Sequence, residues 1–181
     1  YAIDIVIPDG LSADYIIKVL NGYKTRTPKY YGFRGIYYRH VEKNYDLMKK
    51  YYLMAIEQGC VQAICNLGRY YQHIEKNYDL MKKYYLMAIE LNYYRAMSCI
   101  GYYYQMTEIN YELMKKYYIT AIEQGNDAIA MNNLGYYYHD ADINYDLMKK
   151  YYLMAIELGD LTAMINLGNY YADIELNNEL T

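Results

Sequence analysis

Apolar residues recur along this chain with a helical period, and the whole pattern then repeats. The stretch NYDLMKKYYLMAIE occupies residues 44–57, 77–90 and 144–157 without a difference, and 110–123 reads NYELMKKYYITAIE. In the copy that opens at Asn77, Met81, Tyr84, Tyr85 and Ala88 follow three- and four-residue steps, which marks one apolar face of a helix. Asn77 suits the N-cap, and Asp79 puts negative charge in the first turn, where the helix dipole favours it. Gly59, Gly125 and Gly159 stop the other copies, and Asn92 stands in for glycine in this one; both residue types tolerate a left-handed C-terminal turn. This segment is termed helix B.

A second phrase lies between the copies: AICNLGRYY from 63, AMSCIGYYY from 96, AMNNLGYYY from 130 and AMINLGNYY from 163, with a degenerate YYGFRGIYY from 30. This is helix A. It carries a glycine in mid-helix at Gly35, Gly68, Gly101, Gly135 and Gly168. Such a glycine costs about 1 kcal/mol relative to alanine, so its recurrence implies close approach of a neighbouring helix. Tyr71, Tyr104, Tyr138 and Tyr171, three residues on, are expected to pack on the same face. The B copies are spaced by 33, 33 and 34 residues, and the extra residue falls in QGNDAIA, between helices. Self-similarity at this period predicts an all-α solenoid of antiparallel helix hairpins.

The ends depart from the repeat. YAIDIVIP alternates like a strand, and SADYIIKVLNG at 12–22 reads as a short helix capped by Ser12 and stopped by Gly22. The expected organisation is a strand–helix lead-in at 1–28 and an array at 29–181, with about four full repeats and a partial fifth. The lead-in faintly resembles the last strand and helix of a BTB domain, which would imply a ubiquitin-ligase adaptor. NNEL at 177–180 aligns with NYDL and predicts the start of a fifth helix B. Both ends suggest part of something longer. An unpaired last helix A would leave an apolar face open to a missing repeat, a cap or another copy.

Ala63, Leu67, Gly68 and Tyr71, a short loop, then Tyr84, Tyr85, Ala88 and Ile89 resemble the Sel-1-like repeat family, within the wider group of tetratricopeptide-like hairpins. The resemblance covers about residues 29–181. It implies a right-handed superhelix with helices A lining a concave face and helices B outside, in proteins that act as adaptors and not as enzymes. One departure stands out: the A–B loops, QHIEKN or HDADIN, lack the family's usual Gly-x-Gly. The Tyr, Asn and Ile bias also resembles repeat proteins of giant viruses infecting amoebae, for which the compartment would be the host cytoplasm.

Composition narrows the function classes. The chain has 31 tyrosines against one phenylalanine and no tryptophan. Codon bias of an AT-rich genome accounts for that, but each buried ring must still place its hydroxyl against a partner or water, which favours thin, surface-rich architecture. A net charge of −3 gives no broad pull toward nucleic acid or an anionic membrane. No apolar run reaches the roughly 20 residues that span a bilayer. Cys60, Cys65 and Cys99 make no paired framework and fit reduced thiols in a cytoplasmic setting.

No Ser/His/Asp set, paired carboxylates, phosphate loop or CxxC is present, so no catalytic residue and no cofactor are assigned. His40, His73 and His139 sit at ends of successive or separated A helices, too far apart to share a metal ion, so no metal is assigned either. Lys49/Lys50, Lys82/Lys83, Lys115/Lys116 and Lys149/Lys150 form a ladder on helix B. With Asp46, Asp79, Glu112 and Asp146 three and four residues earlier it reads as a solvated face, and a polyanion or nucleic-acid stripe is the alternative. The A helices vary where packing does not fix them: Arg39, Gln62, Arg69, Gln72, Arg95, Tyr102, Gln105, Asn132, Tyr136, His139, Asn169 and Asp173, with Cys65, Ser98 and Thr162 between. These are the candidate partner-binding residues, suited to grip another protein or peptide in the groove. A third reading is a structural protein that stacks on itself through the open C-terminal end.

Overall fold

The computed structural model describes residues 12–179 apart from 24, with side chains through 173. The strand expected at the start of the chain lies outside the described residues. Among them every regular element is helical: α1 (Ala13–Gly22), α2 (Pro28–His40), α3 (Tyr45–Glu57), α4 (Val61–Tyr70), α5 (Tyr78–Glu90), α6 (Arg95–Met106), α7 (Tyr111–Gly125), α8 (Ala128–Asp140), α9 (Tyr145–Glu157) and α10 (Leu161–Glu179). A single π-helical turn, Tyr71–Glu75, prolongs α4. The chain forms two compact units, 1–91 and 92–181. In the first, α1 packs on α2, α2 on α3, α3 on α4 and α4 on α5. In the second, α6 to α10 pack in the same consecutive way, and α8 also touches α6 and α10, so these three A helices stand side by side.

The helix ends follow from their residues. Asn44, Asn77, Asn110 and Asn144 each accept a hydrogen bond at Oδ1 from the amide three residues on, at 3.0 to 3.1 Å, which satisfies one of the free amides of the first turn. Ser12 caps α1 in the same way, accepting from the Tyr15 amide at 3.3 Å. The residue before each of the four asparagines is left-handed: Lys43 (φ 52°), Lys76 (φ 53°), Ile109 (φ 51°) and Ile143 (φ 26°). The A–B turns therefore keep a backbone that favours glycine while carrying lysine or isoleucine. At the far end of helix B, Gly59, Asn92, Asn126 and Gly159 take positive φ. Gly125 does not stop its helix as expected; it is the last residue of α7, and Asn126 makes the turn.

The core is a repeated set of three residues from each helix B. Met48, Met81, Met114 and Met148, with Tyr52, Tyr85, Tyr118 and Tyr152 and Ala55, Ala88, Ala121 and Ala155, are essentially without solvent contact. The A-helix glycines explain the buried tyrosines. A Cβ placed at Gly68, Gly101 or Gly135 would lie 2.5 to 2.6 Å from ring carbons of Tyr85, Tyr118 or Tyr152, and Gly35 stands in the same relation to Tyr52. What the glycine admits is an aromatic ring rather than a helix backbone.

The preceding tyrosine of each pair stacks on helix A: Tyr38 on Tyr51, Tyr71 on Tyr84, Tyr104 on Tyr117 and Tyr138 on Tyr151, at 5.2 to 5.8 Å between ring centres and within 12° of parallel. The last helix corrects an expectation. α10 runs unbroken to Glu179, so the NNEL segment continues helix A up to that residue and does not open a fifth helix B.

Candidate functional site

The candidate residues separate by their offset from the A-helix glycine. Arg39, Gln72, Gln105 and His139 lie four residues after it, and this position faces inward. Gln72 is buried and accepts a hydrogen bond from the Tyr85 hydroxyl at 2.7 Å. Gln105 accepts from the Tyr118 hydroxyl at 2.9 Å, and the Asn133 side chain donates to the same hydroxyl at 3.1 Å. At Tyr85 and Tyr118 the ring seated on a glycine carries its phenol into the core, and the glutamine one turn after that glycine meets it. Gln72 and Gln105 are thus structural partners of tyrosine, which corrects their expected place on an open surface.

The other two hydroxyls are less well served. Those of Tyr52 and Tyr152 are buried without a hydrogen-bond partner. Burial pushes both upward, Tyr152 to about 12, while Arg39 and Arg69 pull the other way on Tyr52. Asn166 lies beside Tyr152, but its amide donates to Asn132 Oδ1 at 3.1 Å and ties α10 to α8. His139 stands against the rings of Tyr145 and Tyr170. Asn133 and Asn166 were not singled out among the candidates, although four fully buried tyrosines in an apolar setting demand such polar neighbours.

In the second unit, the side chains one residue after the glycine turn outward. Tyr102 on α6 is 41% exposed and Tyr136 on α8 is 45% exposed, and Asn169 is exposed at the same place on α10. Because α8 packs against both α6 and α10, these three positions form a row across the second unit. Arg95 and Asn132 are half-buried beside it, and Asp173 is exposed one turn beyond Asn169. In the first unit, Gln62 and Arg69 are half-buried on α4, as is Arg39 on α2. Cys65 and Ser98 are buried, and the Ser98 hydroxyl has no partner.

The lysine ladder is partly tied to the frame. Lys49, Lys115 and Lys149 reach over the rings of Tyr70, Tyr137 and Tyr170, 5.4 to 5.9 Å from the ring centres, on the following helix A. Lys49 also pairs with Asp46 at 3.7 Å and Lys115 with Glu112 at 2.9 Å, but both carboxylates are almost fully exposed and such pairs add little. Lys50, Lys83, Lys116 and Lys150 face solvent.

No family model and no curated protein matches the sequence. Solved structures do match. A Sel1 repeat protein from Oxalobacter formigenes superimposes with a TM-score of 0.65 at 24% identity, over 88% of this chain and 69% of its own. A protective antigen of uropathogenic Escherichia coli with an SLR fold gives 0.61 at 21% identity, over 91% of this chain but only 37% of its own. An immunity protein of Pseudomonas aeruginosa gives 0.58 at 22% identity, over 86% and 62%. The chain has the Sel1-repeat fold.

Burial raises Tyr52, Tyr118 and Tyr152, which keeps these phenols neutral and makes them poor bases near neutrality. Among the described residues no three His, Cys, Asp or Glu side chains gather as metal ligands, and Cys60, Cys65 and Cys99 form no disulfide. None of the described helices is long and apolar enough to cross a membrane.

Proposed function

We propose that the protein is an interaction scaffold, with residues 29–181 as the repeat array, that holds a segment of another protein against the exposed positions of its A helices. The observation that carries this reading is the row of Tyr102, Tyr136 and Asn169 on α6, α8 and α10. Most tyrosines of this chain are consumed by packing; these two present flat, amphipathic rings to solvent at the same register of neighbouring helices. Tyrosine supplies large contact area at low conformational cost, and asparagine and arginine beside it can pair with an extended backbone.

The test is panning a random peptide library on the protein and on a Tyr102→Ala/Tyr136→Ala variant. Both rings are exposed, so the variant is expected to keep its fold. Enriched peptides are expected to lose affinity by about thirtyfold on the variant, the loss of roughly 2 kcal/mol typical of one aromatic anchor. Enrichment that survives the double change would refute the assignment. Polyanion binding through Lys50, Lys83, Lys116 and Lys150 is the second reading, favoured by their exposure. It predicts heparin binding that falls steeply with salt, and a flat response would end it.

A further inference from the structure

Tyr52 breaks the rule that Tyr85 and Tyr118 keep. Their hydroxyls are met by Gln72 and Gln105, four residues after an A-helix glycine, at 2.7 and 2.9 Å. At the corresponding place after Gly35 the chain carries Arg39 instead. Asn133, two residues before Gly135, also donates to the Tyr118 hydroxyl at 3.1 Å. Asn66 holds that place before Gly68, yet the buried Tyr52 hydroxyl has no hydrogen-bond partner among the described residues. Arg69, one residue after Gly68, brings a second guanidinium to bear on the same hydroxyl. Tyr152 shares the lack of a partner but has no arginine beside it. Both arginines are half-buried, and Arg39 forms no ion pair with any described residue. A guanidinium drawn partly out of water is stabilised by an oxyanion that takes its donors.

We propose that Arg39 of α2 and Arg69 of α4 bind a phosphomonoester on a side chain of a partner peptide. Each guanidinium presents a planar fork of donors that fits phosphoryl oxygens. Two fixed positive charges match a phosphomonoester, which carries about −1.5 to −2 near neutrality, better than a carboxylate, which carries a single charge. A nucleic acid presents a run of singly charged phosphates and calls for a longer basic track than one pair of arginines. The anion meets the outer edges of the guanidiniums, and the buried ring of Tyr52 is the floor beneath them. The fold gives up stability for this arrangement: a glutamine in place of Arg39 would serve the Tyr52 hydroxyl as Gln72 and Gln105 serve theirs. The inference rests on the scaffold reading only for the partner being a peptide. It is read at two arginines of the first unit, so it and the Tyr102–Tyr136 assignment can each fail alone.

The test uses the full chain with isotope-labelled arginine and the peptide N-acetyl-Ala-Gly-Ser-Gly-Ala-amide phosphorylated on serine. The unphosphorylated peptide, its aspartate form and inorganic phosphate are titrated beside it. The Arg39 and Arg69 side-chain signals are identified from Arg39→Gln and Arg69→Gln. Saturable movement of both signals is expected with the phosphopeptide, at a Kd of about 1 mM or tighter. The other two peptides are expected to bind about tenfold more weakly or not at all. Arg39→Gln is expected to weaken phosphopeptide binding by about tenfold or more while raising Tm, because the new amide meets the Tyr52 hydroxyl. Arg69→Gln is expected to weaken it as well, without that gain. The inference is overturned if the phosphopeptide does not saturate by about 10 mM, or if Arg39→Gln binds it equally well. A lowered Tm in Arg39→Gln would overturn it too, since the Tyr52 hydroxyl would then already be served. So would equal binding of the aspartate form, which assigns the site to a carboxylate, or tighter binding of inorganic phosphate, which assigns it to a small free anion.

Discussion

Replacing glycine by alanine at two equivalent places in the second unit is predicted to have opposite effects. At Gly101 the new methyl would stand 2.6 Å from two carbons of the Tyr118 ring, about 1 Å inside ordinary contact distance. That ring is fully buried and holds hydrogen bonds to Gln105 and Asn133 at its far end, so it cannot withdraw without breaking them. Overpacking of this kind costs about 2–3 kcal/mol, and the helical preference of alanine over glycine returns about 1. Gly101→Ala is therefore predicted to destabilise the unit by about 1–2 kcal/mol. At Gly168 the same methyl meets nothing, so only the gain of about 0.5–1 kcal/mol remains. The assay is urea unfolding followed by circular dichroism, comparing midpoints of the two variants with the parent. If both substitutions stabilise, or both destabilise by the same amount, the glycines are not seats for tyrosine rings.

Other consequences follow from hydroxyls, turns and titration. Tyr85→Phe strips Gln72 of its donor and is expected to cost about 1–2 kcal/mol, whereas Tyr152→Phe removes a buried hydroxyl that has no partner and is expected to be neutral or stabilising by urea midpoint. Ile109→Gly and Ile143→Gly relieve a β-branched residue at positive φ on exposed turns, with an expected gain of about 0.5–1 kcal/mol each after the entropy of glycine is counted; a loss at both sites would contradict the turn geometry. The raised tyrosines make the fold alkali-sensitive. Their folded values exceed the ordinary 10.0, so the native state holds these protons more tightly, and their contribution is intact below pH 10.0. It is lost as pH climbs through the buried values, about 12 for Tyr152. Phenolate absorbance should rise in two stages, the later one together with unfolding, and a single stage near 10.0 with the fold intact would contradict burial.

Repetition made the frame readable before any coordinates. Period, capping asparagines and the Met–Tyr–Ala stripe of helix B are local signals, and each recurs four times, so chance agreement is excluded by the repeats themselves. The inward turn of Gln72 and Gln105 was harder to see, because a glutamine four residues after a glycine has the same spacing whether it points at solvent or at a phenol. The deciding fact is the depth of Tyr85 and Tyr118, which depends on the ring seat at Gly68 and Gly101 and so on tertiary contact. The left-handed Lys43, Lys76, Ile109 and Ile143 were hidden for a related reason: the chain keeps the turn without the residue that usually announces it. Continuation of α10 through 177–179 is not encoded locally at all, since the asparagine that caps four other helices stands there as well.

The claim on which the account turns is that recognition lies on the exposed A-helix positions while the repeated B segments are frame. Amide hydrogen exchange of the protein with and without a peptide enriched on the Tyr102–Tyr136 row tests it most directly. Added protection is predicted along α6, α8 and the first half of α10, fading in the Tyr102→Ala/Tyr136→Ala variant. Protection confined to α7 and α9, on the side of Lys116 and Lys150, would contradict it.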